Sequence, residues 1–93
     1  MPEVTTNAGT PLKLGATITQ AGVNFSIFSK NASAVSLCLF DDDMAKQPYA
    51  VVAFDPVVNR TGDIWHIELC GAKAGTLYLY KVYKRHIGRL RDD

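Results

Sequence analysis

Residues 22–43 read Gly-Val-Asn-Phe-Ser-Ile-Phe-Ser-Lys-Asn-Ala-Ser-Ala-Val-Ser-Leu-Cys-Leu-Phe-Asp-Asp-Asp. Apolar and polar residues alternate on both sides of the polar segment 30–33. A repeat of two residues is typical of half-buried strands, because successive side chains of a strand point to opposite faces. This run therefore predicts two β-strands joined by a tight turn.

The remainder of the chain continues the β pattern, with turn signals between short apolar runs and no helical period. Six strands are predicted, at residues 16–19, 23–29, 34–40, 50–54, 64–69 and 77–83. Gly71 and Gly75 mark one of the turns, since glycine accepts positive φ. Strands of this length and spacing predict an all-β sandwich of about six to seven antiparallel strands.

Alternation also predicts which face of each strand is buried. The residues expected to face inward are Val23, Phe25, Ile27, Val35, Leu37, Leu39, Trp65, Ile67, Leu69, Tyr78, Tyr80 and Val82. The residues expected to face outward are Asn24, Ser26, Ser36, Cys38, His66, Glu68 and Lys81. Phe28, Leu77 and Leu79 are large apolar residues in the outward register, so we expect them to form a patch covered by another protein surface.

Length and composition limit the possible functions. The chain has 93 residues, 47% of them apolar, and a formal net charge of +1, which fits one small globular domain. The sequence has no basic stripe of the kind that binds nucleic acid, and no apolar run reaches the ~20 residues of a membrane span. Cys38 and Cys70 are expected to be free thiols, although a single disulfide is an alternative.

Catalytic and metal-binding patterns are not found in the sequence. His66 and His86 lack the spacing of metal ligands, and Asp41-Asp42-Asp43 is expected to be a solvated turn without the ligand pattern of a calcium loop. Glycoside hydrolysis needs two carboxyl groups that flank the bond. We therefore expect no catalytic residue, no metal and no cofactor.

Several motifs carry a family resemblance. They are Gly-Val-Asn-Phe at 22–25, Leu-Cys-Leu-Phe-Asp at 37–41, Asp-Pro-Val-Val-Asn-Arg-Thr-Gly-Asp-Ile-Trp-His at 55–66 and Leu-Tyr-Leu-Tyr-Lys-Val at 77–82. With the entry segment 9–17, they resemble the family-48 carbohydrate-binding module of isoamylase-type starch and glycogen debranching enzymes of glycoside hydrolase family 13, and most of all plant isoamylases.

The resemblance implies an immunoglobulin-like β-sandwich at residues 9–83, preceded by a flexible segment 1–8 and followed by a tail 84–93 of undefined structure. It implies a non-catalytic accessory module for starch or glycogen, because the catalytic (β/α)8 barrel of the family needs roughly 250 residues. The partners implied are an α-glucan, bound weakly, and the catalytic domain of a debranching enzyme. The alternative is a structural β-sandwich that braces a catalytic domain without binding sugar.

Candidate glucan-binding residues follow from the same resemblance. Lys81 stands where glycogen-binding members of the family have a lysine, whereas the two platform tryptophans of those members have no counterpart here. Tyr49, Tyr83 and His66 are the other candidates, because an aromatic ring can cover the apolar face of a sugar. The family also implies an intracellular location, in the plastid for a plant or alga and in the cytoplasm otherwise.

Overall fold

The computed structural model describes residues 4–84, and within them the chain forms only β-strands, turns and loops. The strands are β1 (Thr6–Asn7), β2 (Gly15–Ile18), β3 (Gly22–Phe28), β4 (Ala32–Phe40), β5 (Ala50–Ala53), β6 (Arg60–Thr61), β7 (Ile64–Cys70) and β8 (Leu77–Lys84). The six predicted strands are all present within one or two residues of their expected ends. No helix long and apolar enough to cross a membrane occurs in this part of the chain.

Two antiparallel sheets face each other. The five-stranded sheet has the order β1-β7-β3-β2, with β6 also paired to β7, and the three-stranded sheet has the order β5-β4-β8. The all-β, immunoglobulin-like sandwich is therefore confirmed. The two additional strands, β1 and β6, are only two residues long, which is too short to produce a periodic pattern in the sequence.

The core lies between the inner faces of the two sheets. Trp65 and Phe25 of the five-stranded sheet and Leu37 of the three-stranded sheet are fully buried there. The indole N–H of Trp65 donates to the carbonyl of Ser29 at 3.3 Å, so the largest core side chain also has its polar atom satisfied. The remaining buried core residues are Val23, Ala32, Val35, Leu39, Phe54, Ile67 and Leu69.

The outer face of the five-stranded sheet is covered, which the sequence did not predict. Asn24, Ser26 and His66 lie in the outward register but are buried. The N-terminal segment crosses this face: the Asn24 side chain bonds the N–H and the carbonyl of Thr10 at 2.9 and 3.0 Å. The chain joins the sheet at Thr6, where β1 pairs with β7, and thus before residue 9, the expected start of the sandwich.

The predicted burial of three further residues was wrong. Ser36 and Cys38 lie on the outer face of the central strand β4 but are buried, because this strand has a neighbour on each side. Cys38 lies between Val51 and Leu79, and Ser36 lies between Ala53 and the long side chain of Lys81. Val82 lies in the inward register of β8 but is exposed. The expected tail is residues 84–93, and all of it except Lys84 lies outside the described part of the chain.

Candidate functional site

The outer face of the three-stranded sheet carries an apolar strip. In the register of the sheet, Cys38 of β4 lies between Val51 of β5 and Leu79 of β8. Phe40 and Leu77 form the next cross-strand pair and continue the strip toward one end of the sheet. Val51 is 58% exposed and Leu79 is 63% exposed, so this strip is an accessible apolar surface.

The loop between β4 and β5 turns the apolar strip into a groove. Lys46, Gln47 and Pro48 of this loop border a cavity of 410 Å³ whose other lining residues include Cys38, Val51, Leu79 and Lys81. A second cavity of 210 Å³ lies beside it, between the same loop and Leu77. Phe40 and Leu79 line both cavities, and we call the joined surface the outer groove.

Lys81 and Tyr83 extend the outer groove along β8. The Lys81 Nζ lies 5.5 Å from the centre of the Tyr83 ring, within the range of a cation–π contact. Interaction with the Tyr83 hydroxyl raises the pKa of Lys81, so the lysine is a cation at neutral pH. The ring of Tyr83 is nearly half exposed and is held by this contact beside a hydrogen-bond donor.

The groove combines an apolar floor with polar groups at its margin. Lys81 and Lys46 supply ammonium donors, and Gln47 supplies an amide that can both donate and accept. Such a surface can bind a ligand with one apolar face and several hydroxyl groups. In residues 4–84 no three His, Cys, Asp or Glu side chains come together as a metal site would require.

The other two candidate sugar ligands lie elsewhere. Tyr49 lines a separate cavity of 310 Å³ at one end of the sandwich, together with Val4 and Lys73. His66 is only 4% exposed and lies on the opposite sheet. Its Nδ1–H donates to the carbonyl of Ala8 at 2.7 Å, and its Nε2 is 2.8 Å from the hydroxyl of Thr61. The structure thus brings Lys81 and Tyr83 together but not Tyr49 or His66.

The three interface candidates do not form one patch. Leu77 and Leu79 are neighbours on the outer face of β8 and belong to the outer groove. Phe28 is 59% exposed, but it ends β3 in the opposite sheet.

Several residues of the groove were missed in the sequence. Val51, Lys46 and Gln47 join it only because β5 pairs with β4, which brings residue 51 beside residue 38. Nothing in the local pattern around these residues identifies them as part of a site. The two cysteines, which are free thiols in the structure, lie on different sheets.

Comparison with known proteins identifies close relatives of the chain. The family model described as carbohydrate-binding module 48, the isoamylase N-terminal domain, matches residues 13–92. Isoamylase 1, chloroplastic, of Oryza sativa subsp. japonica is 43% identical over 91% of this chain. Isoamylase SU1, chloroplastic, of Zea mays is 47% identical over 80% of it, and the glycogen debranching enzyme of Cronobacter sakazakii is 44% identical over 83%.

The chain spans only about a tenth of the length of these relatives, since it covers 11%, 10% and 11% of them, respectively. Among solved structures, the catalytic module of the multi-modular glycogen-degrading pneumococcal virulence factor SpuA matches 85% of this chain with a TM-score of 0.60. The chain covers 12% of that structure at 20% identity. This similarity supports the fold alone.

Proposed function

The chain belongs to the carbohydrate-binding module 48 family, and from this premise we propose that it is a non-catalytic accessory module that binds α-glucan weakly. The observation that supports the proposal most is the outer groove, in which Lys81 and Tyr83 adjoin an exposed apolar strip. Starch and glycogen are the proposed ligands, because the relatives are named isoamylase and glycogen debranching enzyme.

Binding would use the two kinds of surface in the groove. Each glucose ring has a face of C–H groups. The Tyr83 ring can cover this face of one glucose unit, and the side chains of Leu79 and Val51 can cover that of another unit of the same glucan chain. The Lys81 ammonium and the Gln47 amide would hold hydroxyl groups at the margin. One aromatic ring and a few hydrogen bonds give only weak binding, on the order of a millimolar dissociation constant.

The proposed module takes no part in bond cleavage. A retaining or inverting glycosidase needs two carboxyl groups about 5 to 9.5 Å apart across the scissile bond. Of the acidic residues that the structure describes, Asp42 and Asp43 line the outer groove. Both are exposed on the same loop rather than facing each other across a cleft. In this proposal catalysis belongs to a separate domain, the (β/α)8 barrel that the family resemblance implies, in the plastid of a plant or alga or in the cytoplasm of another cell.

A second candidate function is structural bracing of a catalytic domain. The exposed side chains of Leu79 and Val51 favour it, because an apolar strip of this kind also suits a protein surface. Both functions would use the same groove, so they differ in whether sugar is retained by the chain alone.

Affinity electrophoresis tests the glucan proposal. The chain should be retarded in native gels that contain amylopectin or glycogen, and Lys81→Ala and Tyr83→Ala should remove the retardation. Lys13→Ala is the matched control, because Lys13 is exposed and lies just before β2 of the opposite sheet. Equal mobility of the native chain with and without glucan would contradict sugar binding and favour bracing.

A further inference from the structure

The outer face of the three-stranded sheet continues beyond the apolar strip as a shelf of small side chains. Next to the row that contains Cys38, the following outward row consists of Ala53, Ser36 and Lys81. Ala34 is the next outward residue of β4. We call Ala34, Ser36 and Ala53 the small-residue shelf. Both alanines are exposed, and because neither side chain extends past its Cβ, a ligand can lie close to the backbone of the sheet there.

The floor of the small-residue shelf carries a hydroxyl group without a partner. Ser36 is only 8% exposed, and within residues 4–84 its side chain makes no hydrogen bond. Burial of a polar group without a hydrogen bond is unfavourable. The Ser36 hydroxyl is therefore a group that a ligand on the shelf can satisfy, since it both donates and accepts.

A carboxylate stands on the β5 side of the small-residue shelf. The N–H of Phe54 donates to the carbonyl of Val35 at 2.9 Å, so the pairing of β5 with β4 continues one residue past the end of β5. Asp55 is the next residue, and in this register it lies beside Ala34. Its Oδ1 accepts from two backbone N–H groups of the following loop, at 2.8 and 3.2 Å. These bonds hold the carboxylate in place at the edge of the shelf.

Lys81 bounds the small-residue shelf on the β8 side and joins it to the outer groove. It pairs with Ser36 and also lines the cavity of 410 Å³. Two strand spacings, roughly 9.5 Å, separate β5 from β8, which is comparable with the width of one sugar ring and its hydroxyl groups. The shelf thus has an acceptor on one side, a donor on the other and a hydroxyl in its floor, a set that suits an uncharged ligand with several hydroxyl groups.

We propose that the small-residue shelf is a second subsite of the outer groove and holds the glucose unit beside Tyr83, while the next unit of the same chain lies over the apolar strip. This inference rests on the proposed glucan binding. The Ser36 hydroxyl and the Asp55 carboxylate bind hydroxyl groups of the unit on the shelf, and Lys81 binds it from the other side. The glucan chain then runs along β4, so a single glucose cannot occupy both subsites and a longer oligosaccharide binds more tightly.

Titration of the full chain with maltoheptaose and with glucose, followed by backbone amide shifts, tests this proposal. With maltoheptaose, the signals of Ala34, Ser36 and Ala53 should saturate together with that of Leu79. Glucose should bind roughly tenfold more weakly or less. Shifts at the apolar strip without any response on the shelf, or equal affinity for the two sugars, would overturn the second subsite alone. The absence of saturable shifts anywhere in the chain would contradict glucan binding itself, and with it the subsite.

Two variants locate the second subsite. Ala53→Leu fills the shelf and should weaken maltoheptaose binding roughly tenfold, whereas Ala21→Leu, at an exposed residue just before β3 of the opposite sheet, should not. Ser36→Ala removes the floor hydroxyl and should weaken binding roughly fivefold. Its matched control is Ser26→Ala, since Ser26 is also buried without a partner for its hydroxyl, but on the opposite sheet. If Ala53→Leu does not fold, then Ser36→Ala decides, and native affinity in that variant would overturn the proposal.

Discussion

Replacement of Gly9 by alanine tests how the N-terminal segment is attached to the outer face of the five-stranded sheet. Gly9 has a φ of +75°, and a Cβ there would lie 2.8 Å from the carbonyl carbon of Ile67 and 2.9 Å from the amide nitrogen of Glu68. Both are backbone atoms of β7 and cannot turn away. The segment would therefore have to lift from the sheet.

The expected cost has two parts. Positive φ costs alanine about 1–2 kcal/mol. Lifting the segment also breaks the two hydrogen bonds between Asn24 and Thr10 and the bond from His66 to Ala8, at about 1 kcal/mol net for each. The free energy of unfolding should thus fall by roughly 4–5 kcal/mol, a large part of the stability of a small domain.

Gly75→Ala is the matched control for this change. Gly75 has a φ of +91° but open space where its Cβ would stand, so only the conformational cost of about 1–2 kcal/mol applies. Urea unfolding followed by the fluorescence of Trp65, the single tryptophan, measures both variants. If Gly9→Ala and Gly75→Ala lose the same stability, then the close packing of the segment on β7 is wrong.

Three further changes probe buried and exposed polar groups. Asn24→Ala should lower the free energy of unfolding in urea by about 2 kcal/mol, because its two hydrogen bonds to Thr10 are lost. Asn31→Ala, in an exposed turn, should lower it little. Equal losses would argue against the role of Asn24 in holding the N-terminal segment. Tyr80→Phe should raise the free energy of unfolding by about 1 kcal/mol, because the buried Tyr80 hydroxyl has no hydrogen-bond partner among residues 4–84. Burial, and secondarily the charge of Tyr78, raises the pKa of Tyr80 to about 12. The native chain should therefore lose stability as the pH rises from 10 toward 12, and Tyr80→Phe should lose less. Parallel curves of stability against pH for the two proteins would contradict the raised pKa of Tyr80. Backbone N–H groups of Val57 and Val58 lower the pKa of Asp55. The stabilisation by the Asp55 carboxylate should therefore be present at neutral pH and be lost as the pH falls below about 4. On acid titration, the stability of Asp55→Asn should decline less steeply than that of the native chain.

The architecture of the sandwich could be predicted because its signals are local. Alternation around Phe25 and Leu37 fixes which face of β3 and β4 enters the core, and both residues are buried as expected. The family resemblance was carried by contiguous motifs, and the family-48 assignment is confirmed. Such features depend on residues that are close together in the chain.

The features that were missed depend on contacts between distant segments. His66 is buried because residue 8 crosses the sheet above it, and Cys38 is buried because β5 and β8 flank its strand. Val82 is exposed although it follows the inward register, since the alternation of one strand does not reveal whether another strand covers it. The outer groove required the same long-range pairing, so only its β8 members were candidates in the sequence.

A chemical-shift titration with maltoheptaose tests the central claim, that the outer groove holds an α-glucan, most directly. Saturable shifts should appear at the amides of Val51, Leu79, Lys81 and Tyr83, with a dissociation constant on the order of millimolar, and His66 on the opposite sheet should not respond. The absence of shifts at several times that concentration, or shifts centred on the five-stranded sheet, would contradict the account.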